Sequence, residues 1–205
     1  MIEFKDCFEK IFIISLDQHQ DRRDRLLRQL NEQGVYEPQI EIIRACHGDT
    51  VGVPAWWKSG GGAWGCLQSH SQAIQKAAHD DLENVLILED DTVLSARFND
   101  QLQEVWSEVP EDWEQLYLGG VHLLEPVPVN DHWVEGKDIN RTHAYALKKS
   151  AYSKVYCHIN YAPDYISCYN EGWCPHFDHQ LGRAHRRGDW KVHGMRTWLF
   201  GQGEN

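Results

Sequence analysis

The sequence lacks several features that would assign it to other classes of protein. No apolar stretch approaches the roughly 20 residues of a membrane span, and the N-terminus, MIEFKDCFEK, has no apolar core of signal-peptide length. No repeat, low-complexity tract or linker divides the chain, so we expect a single domain over residues 1–205. These absences predict a cytoplasmic protein and leave open a peripheral association with a membrane.

The chain is also short of positive charge and of paired cysteines. Its net charge of -11 argues against nucleic acid as the main partner, because no broad basic face could easily dominate the field. The six cysteines are scattered without a CxxC pair, which indicates reduced thiols rather than a disulfide framework. The nine tryptophans suit a cleft for sugars or nucleobases, but tryptophan is equally ordinary core material.

What the sequence does contain is an alternation of apolar runs and helical patterns. The runs are apolar throughout, which is typical of a parallel sheet covered by helices on both faces. The segment 121–140 is predicted to be an excursion or hairpin, and the end, WLFGQGEN, to be irregular. The predicted strands are 10–16, 39–45, 84–91, 114–120, 142–149 and 190–195, and the predicted helices are 21–34, 64–80, 97–109, 150–158 and one from Asp178 onward.

The third of these strands ends in three consecutive acids, Glu89, Asp90 and Asp91. Carboxylates so close together repel one another and resist burial, and a bound cation would offset both effects. Ligands of open α/β sheets bind at the carboxyl ends of strands, where Mn²⁺ or Mg²⁺ can accept carboxylate oxygens together with substrate phosphates. If the strand stays extended, Glu89 and Asp91 face one side and Asp90 the other. The alternative is a solvated turn, and the spacing alone does not separate the two.

Two other chemistries are compatible with the residues. Glu89 and Asp178 could serve as the paired carboxylates of a glycoside hydrolase, although acids at a strand end fit a diphosphate donor better. Four zinc-capable side chains lie within twelve residues and could make the protein a zinc-stapled interaction module, although their spacing matches no common zinc finger. The four are Cys168, Cys174, His176 and His179.

Six separated stretches form an ordered set that runs from about Lys10 to His179. They are IISLDQHQDRRDRLLRQL, GAWGCLQSHSQAI, LILEDD, WEQLYLGG, THAYALKKSA and HFDHQL. In this order they resemble glycosyltransferase family 25, which includes bacterial lipopolysaccharide galactosyltransferases and collagen hydroxylysine galactosyltransferases. Each stretch is weak alone, but the ordered set is specific.

The resemblance implies a GT-A-like fold, which is a Rossmann-like α/β arrangement with a mostly parallel sheet. It also implies a UDP-sugar donor, a divalent metal, Mn²⁺ or Mg²⁺, and inversion at the sugar carbon. Glu89 and Asp91 match the metal and diphosphate motif of the family, with Asp91 as the more direct ligand. Asp90 is assigned, with Glu89, to binding of the nucleotide sugar.

The first-strand segment of the resemblance looks like a nucleotide contact, and it contains Asp17 and Arg22. An arginine there can pair with phosphate through its planar guanidinium, whereas the alternative is a solvated helix face.

The stretch GAWGCLQSH supplies three further candidates for donor binding. Gly65 would let the backbone pass close to a ligand or a neighbouring element, and Ser69 and His70 could present polar atoms toward the donor. A His70 that is satisfied within the fold is an equal alternative. Cys66 is interpreted as a packing residue.

An inverting transfer needs one general base to accept the proton of the attacking hydroxyl. Asp178 takes the place of the acid found there in the family, and its alternative role is a helix N-cap. Related domains supply a late histidine as a further metal ligand, but Phe200 stands at that position here. We assign the metal-ligand role to His193, with Gln202 or water as alternatives.

Together these residues predict a transferase that moves a hexose, galactose or glucose, from a UDP-sugar to a hydroxyl of a glycan or protein acceptor. A catalytically inactive relative that still binds sugar or nucleotide is the alternative. The loops 46–63 and 121–140 are predicted to build the acceptor surface. Trp56, Trp57 and Trp133 either provide stacking platforms there or close the loops onto the core.

Overall fold

The computed structural model describes residues 2–48, 50–160 and 174–203, which place one large sheet between two layers of helices. The predicted elements are present within a few residues of their expected bounds. The strands are β1 (Lys10–Ser15), β2 (Ile40–Arg44), β3 (Asn84–Glu89), β4 (Thr92–Leu94), β5 (Gln115–His122), β6 (Val127–Pro128), β7 (Trp133–Glu135), β8 (Ile139–Lys148), β9 (Val192–Met195) and β10 (Phe200–Gln202). The helices are α1 (Gln20–Glu32), α2 (Gly60–His79), α3 (Phe98–Trp106), α4 (Lys149–Asn160) and α5 (Phe177–Arg187), with a short 3-10 helix at Phe4–Asp6.

The large sheet contains eight strands in the order β2-β1-β3-β8-β5-β9-β7-β6. β1 is parallel to β2 and β3, and β5 is parallel to β9. β8 is antiparallel to both β3 and β5, and β7 is antiparallel to both β9 and β6. Six of the eight strands therefore point the same way, which confirms the predicted α/β class with a mostly parallel sheet.

Both faces of the sheet are covered, which explains why its strands are apolar throughout. Ile11 and Ile13 of β1 pack into the cluster that includes α1 and α3, whereas Phe12 packs into the cluster that includes α2, α4 and α5. All three side chains are fully buried, and burial of each contributes about 1.5–3 kcal/mol.

The second half of the chain contains one confirmed prediction and one error. The segment 121–140 does contain a hairpin, formed by β6 and β7. The end predicted to be irregular instead forms β10, which pairs with β4 and places Gln202 opposite Thr92. A three-residue strand carries no periodicity that could reveal it, because only the distant partner defines it. No helix in the described ranges is long and apolar enough to cross a membrane.

The antiparallel strand β8 determines which residues lie beside the carboxyl end of β3. Leu88 of β3 lies opposite Ala144 of β8. The residues just before Ala144, Thr142 and His143, therefore lie beside the acids that follow Leu88. The carboxyl end of β3 thus meets the beginning of β8.

Candidate active site

The three acids lie at the carboxyl end of β3, but not as an extended strand would place them. β3 ends at Glu89, and Asp90 and Asp91 form a turn that leads into β4. All three line one cleft. Glu89 contacts His70 of α2, whereas Asp90 contacts Arg22 of α1, which packs on the opposite face of the sheet. The side chains of Glu89 and Asp90 therefore alternate as strand residues do, and Asp91 is the residue that the turn repositions. Asp90 and Asp91 are 7% and 6% exposed, so the turn is not a solvated one.

The cleft has a volume of about 360 Å³ and opens between the end of β1, the residues after β2 and the first half of α2. A second cavity of about 390 Å³ adjoins it, and the two share Gly62, Cys66 and Glu89. Asp178 lines the second cavity, together with Arg141. Both volumes lie in the range of small-molecule sites, so the arrangement can hold two ligands on either side of Glu89.

Glu89 is held by two hydrogen bonds at the boundary between these cavities. Its Oε1 lies 3.3 Å from His70 Nε2 and accepts a hydrogen bond of 3.0 Å from Thr142 Oγ1. Burial alone would raise the pKa of Glu89, but these bonds and the charges of His70 and His143 outweigh it and lower the pKa. Glu89 is therefore an ionised carboxylate whose position the fold determines.

His70 is satisfied within the protein. Its Nδ1 lies 3.0 Å from Tyr145 Oη, and its ring stacks on Phe177 with centroids 4.3 Å apart. The side chain is 1% exposed. His70 therefore positions Glu89, which favours the satisfied-histidine alternative over a direct contact with the donor.

Asp91 has a less complete environment. Its Oδ2 accepts a hydrogen bond of 2.9 Å from Gln202 Nε2, but its buried Oδ1 has no hydrogen-bond partner in the part of the chain that the structure describes. Burial and then the charge of Glu89 raise the pKa of Asp91, and the bond from Gln202 offsets this only in part. An unpartnered carboxylate oxygen of this kind is suited to a cation.

Asp90 faces basic side chains of the first helix and the turn before it. Asp90 Oδ2 lies 3.4 Å from His19 Nδ1, and Oδ1 lies 3.8 Å from Arg22 Nη1. Arg22 lines the cleft, where an anionic ligand could reach its guanidinium.

Asp178 is not the N-cap residue of its helix. α5 begins at Phe177 with His176 as the N-cap residue, so Asp178 is the second residue of the helix. Its two oxygens accept backbone hydrogen bonds from Arg141, at 3.3 Å, and from His179, at 2.8 Å. The N-cap alternative is therefore wrong, and the carboxylate lies in the wall of the second cavity.

Three of the predicted donor contacts make contacts within the protein, and of these Ser69 also lines the cleft. Asp17 is exposed and pairs with Arg44 at 2.6 Å, outside the cleft lining. A Cβ at Gly65 would lie 2.4 Å from the carbonyl oxygen of Cys46, so this glycine allows α2 to approach the loop after β2. Ser69 Oγ accepts from the Cys46 backbone at 2.8 Å and donates to the Gly65 carbonyl at 2.7 Å, which ties the same loop to α2.

His193 is not near the acids, so its assignment as a ligand of the same ion is wrong. It lies in β9 opposite Leu116, near the start of β5, and its Nε2 lies 3.1 Å from Asp112 Oδ1. β5 runs in the same direction as β3, so His193 lies toward the opposite end of the sheet from Asp91. Gln202, the alternative, is the residue that contacts Asp91, through its amide nitrogen.

The tryptophans close the loops onto the core. Trp133 is fully buried and donates to the Val105 carbonyl at 2.9 Å, so it cannot be a stacking platform. Trp57 is also buried, and Trp56 packs edge-on against it and against Trp64. The proposed zinc cluster stays untested, because Cys168 lies outside the described residues.

The sequence interpretation missed several residues that build the site. Thr142 and Tyr145 hold Glu89 and His70, and both come from β8, which pairs with β3 in an orientation that no local pattern reveals. His19 lies on the segment already assigned to nucleotide binding, so its closeness to Asp17 and Arg22 was an available signal.

Fold and site together define an α/β protein of GT-A-like fold with an acid-lined cleft at the carboxyl end of a central strand. The model of glycosyltransferase family 25 (LPS biosynthesis protein) matches residues 8–126, more than half of the chain. The chain belongs to this family.

Similar proteins include procollagen galactosyltransferase 2 of Mus musculus, which is 31% identical over 173 residues, or 72% of this chain and 27% of that protein. Another is the probable inactive glycosyltransferase 25 family member 3 of Bos taurus, 27% identical over 129 residues, or 55% of this chain and 22% of that protein. The chain thus spans about a quarter of the length of these relatives.

One solved structure with a similar fold is mannose-1-phosphate geranyltransferase from Thermus thermophilus. It has a TM-score of 0.50 and 8% identity, and the match covers 94% of this chain and 75% of that one. At this identity the likeness concerns the fold alone. The family assignment disfavours the glycoside hydrolase alternative.

Proposed function

We propose that this chain transfers a hexose, galactose or glucose, from a UDP-sugar to a hydroxyl of a glycan or protein acceptor, with inversion at the sugar carbon. Membership of a glycosyltransferase family and similarity to a protein named procollagen galactosyltransferase support this activity and favour galactose. The observation that carries the proposal is the buried Oδ1 of Asp91, which has no hydrogen-bond partner among the described residues, in a cleft that Arg22 also lines.

The residues of the acidic turn fit a divalent cation. Without a cation, burial and then the charge of Glu89 raise the pKa of Asp91. A cation at Asp91 would offset the charge of Glu89 and bind the oxygen that has no partner among the described residues. Carboxylate oxygens from Asp91 and Glu89 are the donors that Mn²⁺ or Mg²⁺ prefers. When bound, such an ion supplies positive charge that stabilises the diphosphate leaving group.

The donor would occupy the 360 Å³ cleft. Arg22 lies 3.8 Å from Asp90, a loose pair that leaves its planar guanidinium able to contact a phosphate. Ser69 fixes the loop after β2 that forms another wall of this cleft. Ser69 therefore acts on the donor indirectly, by shaping its pocket.

The acceptor would occupy the second cavity, with Asp178 as general base. The acceptor oxygen forms a bond to the anomeric carbon while the bond from that carbon to the diphosphate breaks and UDP leaves. The hydroxyl proton passes to a carboxylate oxygen of Asp178. Backbone N–H groups of Arg141 and His179 orient that carboxylate. A single displacement of this kind inverts the sugar carbon.

UDP release from UDP-galactose and UDP-glucose, with and without Mn²⁺, tests the proposal. We expect Mn²⁺-dependent release that Asp91→Asn abolishes. Asp112→Asn is the matched control, because Asp112 is an exposed acid at the other end of the sheet, paired with His193. Wild-type protein that binds UDP without releasing it from any UDP-sugar would instead identify an inactive nucleotide-binding relative.

A further inference from the structure

A second set of metal-ligating atoms lies in the same cleft and shares Glu89 with the acidic turn. Cys66 and His70 are four residues apart on α2 and so project from one face of the helix. The Cys66 sulfur, a His70 ring nitrogen and a Glu89 oxygen all lie within 4.8 Å of one another. The Cys66 side chain is exposed to the cleft, so its interpretation as a packing residue is wrong.

The His70 nitrogen and the Glu89 oxygen are spaced as two zinc ligands are, and the Cys66 sulfur lies within 4.8 Å of both. Zn–N and Zn–O bonds of about 2.0–2.2 Å at a tetrahedral angle place the two ligand atoms roughly 3.3–3.5 Å apart. His70 Nε2 and Glu89 Oε1 are 3.3 Å apart. Tyr145 Oη, 3.0 Å from Nδ1, and the stacked ring of Phe177 fix the imidazole in this orientation. Partners of this kind orient the histidine ligands of metal sites.

The ligand types of this set differ from those of the acidic turn, although Glu89 belongs to both. Thiolate, imidazole and carboxylate together select Zn²⁺, whereas carboxylates alone select harder cations. The Cys66 sulfur is open to the cleft but closely surrounded by protein atoms, and this desolvation, followed by the charges of Glu89, Asp178 and Asp91, raises the pKa of the thiol. A cation at the sulfur would reverse this balance and release the thiol proton to solvent.

We propose that Cys66, His70 and Glu89 form a zinc site with one coordination position open to the cleft. His70 binds through Nε2, and its Nδ1–H then donates to Tyr145 Oη. Because Glu89 also lines the donor cleft, bound zinc should weaken UDP binding; this consequence, unlike the site itself, rests on the proposed function.

Titration of the metal-free protein with Co²⁺ tests the site directly, because a cobalt–thiolate bond has a characteristic near-ultraviolet absorption. We expect this band at one equivalent, its loss on addition of Zn²⁺, and zinc affinity lower by at least roughly 10²-fold in Cys66→Ser. Cys157→Ser, which removes an exposed thiol on α4, is the matched control and should keep both band and affinity.

Tyr145→Phe provides a second variant that keeps all three ligands and should weaken zinc binding by about 10-fold. Circular dichroism establishes that each variant is folded. A wild-type protein without the thiolate band, or a band that survives Cys66→Ser and disappears in Cys174→Ser, would overturn the proposal. The measurement uses no nucleotide, so its outcome is independent of whether the protein transfers sugar.

Discussion

Glu89 and Asp91 lie two residues apart at the end of the same strand, yet their surroundings shift the pKa values of the two carboxyl groups in opposite directions. Glu89 is hydrogen-bonded by Thr142 and His70, and its pKa is lowered. Asp91 is bonded on one oxygen by Gln202, its other oxygen has no partner among the described residues, and its pKa is raised. The fold therefore completes the environment of Glu89 and leaves that of Asp91 incomplete.

This difference indicates which side of the cleft depends on a ligand. A buried carboxylate oxygen without a partner has a desolvation cost that the protein itself does not offset. Such groups are retained where a bound ion or substrate supplies the missing interaction. We therefore expect Asp91 to depend on a bound ligand, whereas Glu89 is held in place by the protein with or without one.

The largest expected effect is that of Asp91→Asn on activity. An asparagine keeps the volume but loses the charge, so loss of the proposed cation should lower kcat/KM by roughly 10³-fold, equivalent to several kcal/mol of transition-state stabilisation. UDP release at saturating Mn²⁺ measures the effect. Mn²⁺-dependent turnover that stays near the wild-type rate would contradict the role of Asp91.

The second cavity, which Glu89 and Asp178 both line, provides the next test, because it is the proposed acceptor site. Asp178→Asn should lower the transfer rate by about 10²-fold or more, because the variant cannot accept the acceptor proton. UDP binding, measured by calorimetry, should stay unchanged, since Asp178 does not line the donor cleft. A variant that loses UDP binding and transfer together would place Asp178 on the donor side instead.

The contrast between the two acids can be predicted only in part from the sequence. The strand ending in LEDD and the helix GAWGCLQSH are local patterns, so β3, α2 and the presence of acids at a strand end are all predicted correctly. The partners that give the acids their different properties come from β8 and β10, residues 139–148 and 200–202. Their pairing is non-local, and in the case of β10 only three residues long, so no periodicity reveals it.

The same limit explains the wrong placement of His193. His193 is predicted to be a ligand because a late histidine is missing, but its strand position near the start of β5 follows from sheet order rather than from any motif. Sequence patterns thus predict the residues of the acidic turn itself. They do not predict which residues from distant parts of the chain lie beside it.

The two acids should affect the stability of the metal-free protein in opposite directions. Glu89→Gln removes a carboxylate whose lowered pKa stabilises the folded state above the ordinary carboxyl pKa, so it should lower the free energy of unfolding by about 1–2 kcal/mol at neutral pH. This deficit should shrink as the pH falls through the pKa of folded Glu89. Asp91→Asn should instead stabilise the metal-free protein, because it removes a carboxylate whose raised pKa is unfavourable to folding at neutral pH.

Urea unfolding between pH 4 and pH 7 measures both effects, and the advantage of Asp91→Asn should disappear as Asp91 becomes protonated in the wild type. Added Mn²⁺ should stabilise the wild type but not this variant. Equal destabilisation by the two substitutions, with or without metal, would mean that the two environments do not differ as their hydrogen bonds indicate.

The smallest expected effect concerns the basic wall opposite the acids. Arg22→Lys keeps the positive charge near Asp90 but loses the planar guanidinium, so UDP should bind about 10-fold more weakly while the Mn²⁺ requirement is unchanged. Arg28→Lys, an exposed position on the same helix, is the matched control and should bind UDP normally. If the two variants bind UDP equally well, Arg22 contributes only charge to the cleft, and the diphosphate must be held mainly from the Asp91 side.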